Sequence, residues 1–526
     1  MKTLQKLPLG IQTFRKIRED NLLYVDKTEY IYHLIEKGSR LFFARPRRFG
    51  KSLLISTLKE IFLGSRSLFQ GLWIEDQITW ETYPVIHLDM SKLGESPHVN
   101  IEALLELQLL RIAESYALSL SLKSSNPYGY FQELIEGLHQ KYQKKVVILI
   151  DEYDAPLTNV LDNPEKLEEN RSILASLYGN LKAEDAYIHF VFLTGISRYG
   201  KMNVFSKLNN LTDLSFEEEF GTMLGYTQEE METHFEPYIA HYAQKTGIAY
   251  SEALEQLKHW YNGYLFAEGT ARVYTPWSVL SFCVHLKINN YWFETGTPTF
   301  LIKMLKEQQL PLYDLEQVQA DDITLKNADL GGIDAYALLF QTGYLTIKRS
   351  TNLGMDTIYE LSYPNQEVRL SFLNYLLVEY TGKGLSRVQN DMIFLVKKAF
   401  YENNLPLFFE AVKTTFAGIP YNMFIHNQEA YYQSVVYILV ELSGLVVRGE
   451  EQTNVGRMDA VIESPTHIYI FEFKMTTASD ALAQIHQKKY YEKYAHSPKE
   501  IVLVAVAFDE TSKSLKEWIS EVWDRS

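Results

Sequence analysis

The sequence predicts an α/β multidomain chain, and three observations carry that reading. Short, almost wholly apolar runs alternate with helical patterns through the first two hundred residues. A mostly helical stretch follows from 226. From 427 onward strands and helices alternate again, in an order of their own. At roughly 150 residues per domain, a chain of 526 residues holds two to four domains. The expected divisions are 1–225, 226–380 and 381–526.

LLYVDKTEYI (22–31) leads into a short helix carrying Leu34 and Ile35. RLFFA (40–44) reads as a buried strand, RPRRFGKS (45–52) as a loop, and LLISTLKEIF (53–62) as a helix. PVIHLDMS (84–91) is a second strand, and residues 101–119 form an amphipathic helix. KKVVILIDEYDAP (144–156) is the clearest strand, with five consecutive apolar residues followed by acids and a proline. IHFVFLTGISRYG (188–200) is a fourth. Buried strands separated by helices point to a mainly parallel sheet covered on both faces.

Helices are expected at 226–235 and 251–261. LLFQTGYLTI (338–347) and TIYELSYP (357–364) suggest a β-ribbon, EVRLSFLNYLL (367–377) a helix, and 381–400 another. The middle region therefore reads as a helical or winged-helix-like module. Beyond it the expected order is helix 427–443, strand 444–448, strands within 453–464 and 466–476, helix 478–495, strand 501–508 and a final helix.

Composition is that of a globular protein, 46% hydrophobic and 22% charged. Cys283 is the single cysteine, so intrachain disulfides and multi-cysteine metal sites are excluded. The N-terminus MKTLQKLPLGIQTF lacks the apolar core of a secretory signal. YYQSVVYILVELSGLVV (431–447) is interrupted by Gln433 and Glu441 and is short for a bilayer span. A cytoplasmic location with no membrane partner is expected. A net charge of −15 argues against a surface that hugs nucleic acid throughout, yet permits a local basic site.

FGKS (49–52), between a buried strand and a helix, is the setting of a phosphate-binding loop. Gly50 and the loop N–H groups would face anionic oxygens, Lys51 the β- and γ-phosphates, and Ser52 a Mg²⁺ ion. The general pattern G-x-x-x-x-G-K-[ST] has Arg45 at its first glycine. Asp151 and Glu152 end a buried strand, where open α/β sheets bind ligands. Asp151 would hold Mg²⁺ through water and Glu152 would act as general base. Strands ending at Asp89 and Thr194 fit the arrangement in which a further strand separates the loop strand from the acidic strand. Thr194 or Ser197 would then sense the γ-phosphate and Arg198 would stabilise transition-state charge. Arg45, Arg47 and Arg48 either restore charge to the altered loop or serve an interface.

A second constellation lies in the last third. Asp459 precedes Glu472 by thirteen residues, and Lys474 follows two residues on. Glu472 and Lys474 share a strand face, and Asp459 on a neighbouring strand can join them. Two carboxylates suit a hard divalent cation such as Mg²⁺, and a lysine can orient or deprotonate the attacking water. Ile468, Ile470, Phe471 and Phe473 make this strand apolar on both faces, a costly place for idle charges. Glu429, Gln484 and Tyr490 are further candidates around it.

YVDKT (24–28), RPRRFGKS (45–52), LIDEYDAP (149–156) and LTGISR (193–198) resemble the AAA-ATPase-like family. GRMD (456–459), IFEFK (470–474) and AQIHQKKYYEKY (483–494) resemble the PD-(D/E)XK nuclease superfamily, in the branch commonly fused to that ATPase. YWFETGTPTFL (291–301) also looks like this family. The resemblance implies a P-loop NTPase sheet followed by a PD-(D/E)XK-type α/β domain. It further implies ATP and Mg²⁺ as cofactors and nucleic acid, DNA or RNA, as partner. It treats Arg45 as a family feature. An ATPase whose nucleotide state gates a Mg²⁺-dependent nuclease is the leading expectation. The alternative is a nucleotide-dependent switch whose C-terminal domain binds without cutting. The sequence leaves open a homo-oligomer in which a neighbouring subunit supplies an arginine.

Overall fold

The computed structural model describes residues 4–93, 100–120, 126–161, 163–196, 210–292, 315, 318–321, 324–325, 334–354, 356–381, 387–417, 419, 429–453, 456–509, 511–512 and 514–524. The chain divides into two compact units. The first is Met1–Leu301 with Val318–Val368, and the second is Ile302–Gln317 with Arg369–Ser526.

The first unit is built on strands β1 (Arg40–Ala44), β2 (Val85–Asp89), β3 (Val146–Asp151), β4 (Ile188–Gly195) and β5 (Thr212–Asp213). They pair in the order β2-β3-β4-β1-β5, each neighbouring pair parallel. β1 and β3 are buried along their whole length, which explains runs of uninterrupted apolar residues. β4 lies between the loop strand β1 and the acidic strand β3, as the sequence suggested.

Among the described residues, the helices α1 (Phe14–Glu19), α2 (Thr28–Lys37), α3 (Lys51–Phe62), α4 (Ile101–Ser115), α5 (Pro127–Tyr142), α6 (Ala155–Thr158) and α7 (Pro164–Ala183) accompany this sheet. Val146, Ile148 and Ile150 form one core with Leu105 and Leu109 of α4, Leu134 of α5 and Leu177 of α7. The alternate residues Val147 and Leu149 are just as buried, and α3 packs against β3. Helix starts are set by side chains. Asn100 accepts from Glu102 N and Ala103 N, while Asn126 and Asn163 cap helices that open on Pro127 and Pro164.

Next come α8 (Gln228–His234), α9 (Glu236–Thr246), α10 (Tyr250–Tyr261) and α11 (Pro276–His285). Met231, Ile239, Leu257 and Phe282 share a separate core with Val25 from the N-terminal segment. β6 (Val318–Asp321), β7 (Thr346–Leu353) and β8 (Asp356–Ser362) form an antiparallel sheet in the order β6-β8-β7, and α12 (Ala335–Thr342) precedes β7. The ribbon expected from 338 is thus corrected: 338–342 is helical and the strand begins at Thr346. Asp334 caps α12 by accepting from Ala337 N, and Gly343 ends it at φ +90°. Local capping overrides the strand-like composition of LLFQT.

In the second unit, α13 (Gln366–Thr381), of which only the first three residues belong to the first unit, runs on to α14 (Arg387–Tyr401), α15 (Leu405–Ala417) and α16 (Glu429–Leu442). β9 (Val446–Thr453), β10 (Gly456–Glu463), β11 (His467–Lys474), α17 (Ala478–Lys488), β12 (Glu500–Asp509) and β13 (Ser514–Val522) follow. The strand order is β13-β12-β11-β10-β9, with β11 and β12 parallel and the other neighbours antiparallel. The final helix expected after 508 is therefore corrected to β13. SLKEWISEV contains good helix formers, but pairing with β12, apolar from Ile501 to Phe508, satisfies that strand's outer backbone groups. The helix expected over 478–495 ends at Lys488, and Lys489 at φ +49° turns the chain into a short 3₁₀ segment.

One buried charge stands out in the first unit. Glu367, in the first turn of α13, is 0% exposed and accepts from Ser278 Oγ (2.7 Å), Tyr291 N (2.7 Å) and Trp292 N (2.9 Å). Burial pushes its carboxyl up to about 7, against a reference of 4.5. The folded state therefore holds this proton more tightly than the unfolded chain. The resulting stability is full below the unfolded value and is lost as pH rises through the folded one. Relative to Glu367→Gln, the parent should lose about 3 kcal/mol between about pH 4.5 and about pH 7. Urea unfolding of both proteins across that range checks this, and equal slopes would contradict it.

Candidate functional sites

The phosphate loop joins β1 to α3. Gly50 caps α3 in the left-handed region at φ +92°, where a side chain is strained. Arg48 adopts φ +70°, and its guanidinium lies 4.1 Å from the Trp277 ring centroid. Phe49 is buried between Tyr264 and Phe266, at ring distances of 4.8 and 5.1 Å. The Lys51 ammonium is 5% exposed and donates to Arg45 O and Pro46 O, both at 2.9 Å. Burial pushes its pKa down, while Glu152, Asp151 and Asp154 oppose that.

The acids approach this loop because β3 ends beside β4. Asp151 is 6% exposed, and burial raises its pKa against the stabilising Ser52 hydroxyl and Lys51 charge. Its Oδ1 is buried with no hydrogen-bond partner among the described residues. Glu152 sits at φ +51°, uncommon for a non-glycine residue, and turns toward the cavity described below. Burial raises its pKa too. Tyr153 N donates to Thr194 O at 3.0 Å, and both Asp154 carboxylate oxygens accept from Ile196 N at 3.2 Å. A Cβ on Gly195 would come within 2.6 Å of Asp154 Oδ1 and the Tyr153 ring, so only glycine lets the strand ends meet this closely.

A cavity of about 440 Å³ opens on the loop. Arg47, Gly50, Lys51, Ser52 and Glu152 form its polar end, and Ile11, Tyr24, Val25, Leu224 and Trp277 contribute an apolar wall. Its size and division suit a ligand with a flat apolar part and an anionic tail. Ser52 and Asp151 present a hydroxyl and an unpartnered buried carboxylate oxygen side by side, a donor set that suits Mg²⁺.

Two of the predicted residues, Arg45 and Thr194, lie away from the cavity. Arg45 is outside the cavity lining. Its guanidinium donates to Ala44 O (2.9 Å), Ser215 O (2.7 Å) and Phe220 O (3.0 Å), and lies 4.1 and 4.3 Å from the Phe43 and Phe266 ring centroids. Burial lowers its pKa to about 9. Thr194 is 0% exposed at the end of β4, likewise outside the lining, and its hydroxyl has no partner among the described residues. Arg198 and Ser197 lie outside the described residues. The N-terminal segment around Ile11 and the Trp277 ring escaped sequence reading, because nothing in their spacing marks them as cavity walls.

In the second unit, β10 and β11 pair with Ala460 opposite Phe471. Asp459 Oδ2 accepts from Phe473 N at 2.7 Å, which seats it against the residue between Glu472 and Lys474. Lys474 Nζ lies 2.9 Å from Glu472 Oε1, and Glu472 is 0% exposed. Glu472 and Lys474 align with Ala505 and Ala507 of β12, and Ala478 and Ala481 of α17 join that alanine patch. The Tyr490 hydroxyl accepts from Gln484 Nε2 at 3.4 Å, and the charges of Glu472, Asp459 and Lys474 all reach it. The Glu429 side chain lies outside the described residues. Asp459 and Glu472 bring two carboxylates to the neighbourhood of Tyr490, a donor set that suits a divalent cation with retained water. Among the described residues, no group of three or more His, Cys, Asp or Glu side chains forms a metal cluster.

These two sites and folds define an AAA-ATPase-like protein with a C-terminal PD-(D/E)XK nuclease superfamily domain, and the chain belongs to that family. Residues 8–205 match the family described as "Predicted AAA-ATPase", and residues 427–518 match the PD-(D/E)XK nuclease superfamily. The chain is 37% identical over 527 residues to the "Uncharacterized protein in vnfD 5'region" of Azotobacter chroococcum mcd 1, covering 98% of this chain and 99% of that protein. It is also similar to the solved structure of the Aeropyrum pernix ORC2 protein (ADPNP-ADP complexes), at 12% identity and a TM-score of 0.26, over 65% of this chain and 89% of that one.

The Arg45 guanidinium is engaged by three backbone carbonyls. Arg45→Ala should lower the thermal midpoint by several degrees, since three buried carbonyls lose their donor. The added stabilisation from saturating Mg²⁺-ADP should survive. Its disappearance would place Arg45 in ligand binding.

Proposed function

We propose that the first unit binds and hydrolyses ATP and that the second cleaves phosphodiester bonds in DNA or RNA, with the nucleotide state gating cleavage. The observation that carries the reading is the meeting of Lys51, Ser52 and Glu152 on the lining of a nucleotide-sized cavity, with Asp151 bonded to Ser52 just behind it. Lys51 would exchange its two loop carbonyls for phosphate oxygens, and the loop N–H groups would complete the cradle. Ser52 and Asp151 would hold Mg²⁺, which supplies charge neutralisation on the phosphates. Glu152, poised by burial, takes a proton from the attacking water. Thr194 or Ser197 is assigned to sensing the γ-phosphate, Arg198 to stabilising transition-state charge, and Arg45 to holding the loop.

In the second unit Asp459 and Glu472 would hold Mg²⁺, which activates water and offsets phosphate charge. Lys474 orients that water and is itself kept in place by Glu472. The proposed domains are 1–225, 226–380 and 381–526. Among the described residues no helix is long and apolar enough to cross a membrane, and we assign the protein to the cytoplasm. A homo-oligomer would let a neighbouring subunit complete the nucleotide site.

The second reading, a switch that binds without cutting, draws support from one observation. Residues 427–526 hold 10 Lys and Arg against 15 Asp and Glu, a poor balance for gripping phosphates unspecifically. Cleavage of mixed DNA and RNA with Mg²⁺, with and without ATP, separates the two. Glu472→Ala should abolish cleavage, and Lys51→Ala should remove its dependence on ATP. ATP binding without cleavage by the parent would favour the switch.

A further inference from the structure

Glu367 belongs to neither site, yet its contacts lead back to the nucleotide cavity. Trp277 lines that cavity, stacks with Arg48 of the phosphate loop, and donates its indole N–H to Tyr291 O at 3.0 Å. Tyr291 N and the neighbouring Trp292 N both donate to Glu367. Ser278, next to Trp277 in the first turn of α11, donates its hydroxyl to the same carboxyl. Each step from Arg48 to Glu367 is therefore a direct contact. Glu367 is also the second residue of α13, where Asn365 Oδ1 accepts from Val368 N at 3.0 Å. The first unit ends at Val368 and the second resumes at Arg369. Arg369 pairs with Glu441 of α16, which is itself 3% exposed. Two residues of one helix turn are thus anchored, one in each unit.

A fully buried carboxyl held by three donors is an expensive way to fasten a helix, since an apolar residue would pack there without a desolvation cost. What the carboxyl adds is direction. It ties the start of α13 to the two segments that carry Trp277 and Tyr291, so a shift of either moves the helix or breaks a bond. We propose that Glu367 is a positioning latch that transmits occupancy of the cavity to α13 through Arg48, Trp277 and Tyr291. This rests on the reading of the cavity as a nucleotide site.

Hydrogen exchange of the full chain tests it, read at the amides of 366–381 with and without saturating Mg²⁺-ADP. In the parent, nucleotide should slow exchange there by about 5-fold or more. Glu367→Gln, which keeps the shape and changes the bonding, should lose most of that slowing while binding ADP within about 3-fold of the parent. Ser278→Ala removes one of the three donors and should lose part of it, and it serves alone if Glu367→Gln fails to fold. Undiminished slowing in the variants overturns the latch. A parent that binds ADP without slowing at α13 also overturns it and leaves the nucleotide site standing. A parent that binds no ADP overturns the nucleotide reading, and the latch falls with it.

Discussion

A lysine ammonium shut away from water has to be answered by oxygen, and that requirement at Lys51 organises the first unit. Its partners are the carbonyls of Arg45 and Pro46, with Asp151, Glu152 and Asp154 supplying the compensating field. Those carbonyls are in place because Arg45 ties the loop's first residue to Ala44, Ser215 and Phe220. The acids are within reach because β4 lies between β1 and β3, and Gly195 lets their ends close together. Phosphate oxygens would be stronger acceptors for this ammonium than carbonyls.

The second unit meets the same difficulty with the signs reversed. Glu472 is shut away on an apolar strand, and Lys474 on the same face answers it. Asp459 brings a second carboxylate, seated by the Phe473 amide. Alanines at 478, 481, 505 and 507 keep bulk away from this charge cluster. In both units the reactive groups stand at or near the ends of buried strands, where sheet packing fixes their positions to a degree that a loop would not.

Much of this was legible in the sequence, for identifiable reasons. RLFFA and VVILID are so apolar that only a buried strand suits them, and the acids at 151 and 152 follow at the strand's end. The E-x-K pair stood out because its strand is apolar on both faces. What escaped depends on contacts far apart in the chain. Arg45 looked like a ligand for phosphate, but its guanidinium turns away to carbonyls about 170 residues distant. Glu367 looked like any helical glutamate, and only the folded chain brings Ser278 and Tyr291 to it. SLKEWISEV has helix-forming residues, yet β12 needed a partner on its outer edge.

On the proposed function, Lys51 and its loop hold a triphosphate. Calorimetric titration of the intact chain with ATP in the presence of Mg²⁺ measures this directly, with Lys51→Ala as comparison. Loss of a charge-assisted contact worth about 2–3 kcal/mol should weaken binding by about 30-fold or more. An affinity unchanged in Lys51→Ala would contradict the account at its root.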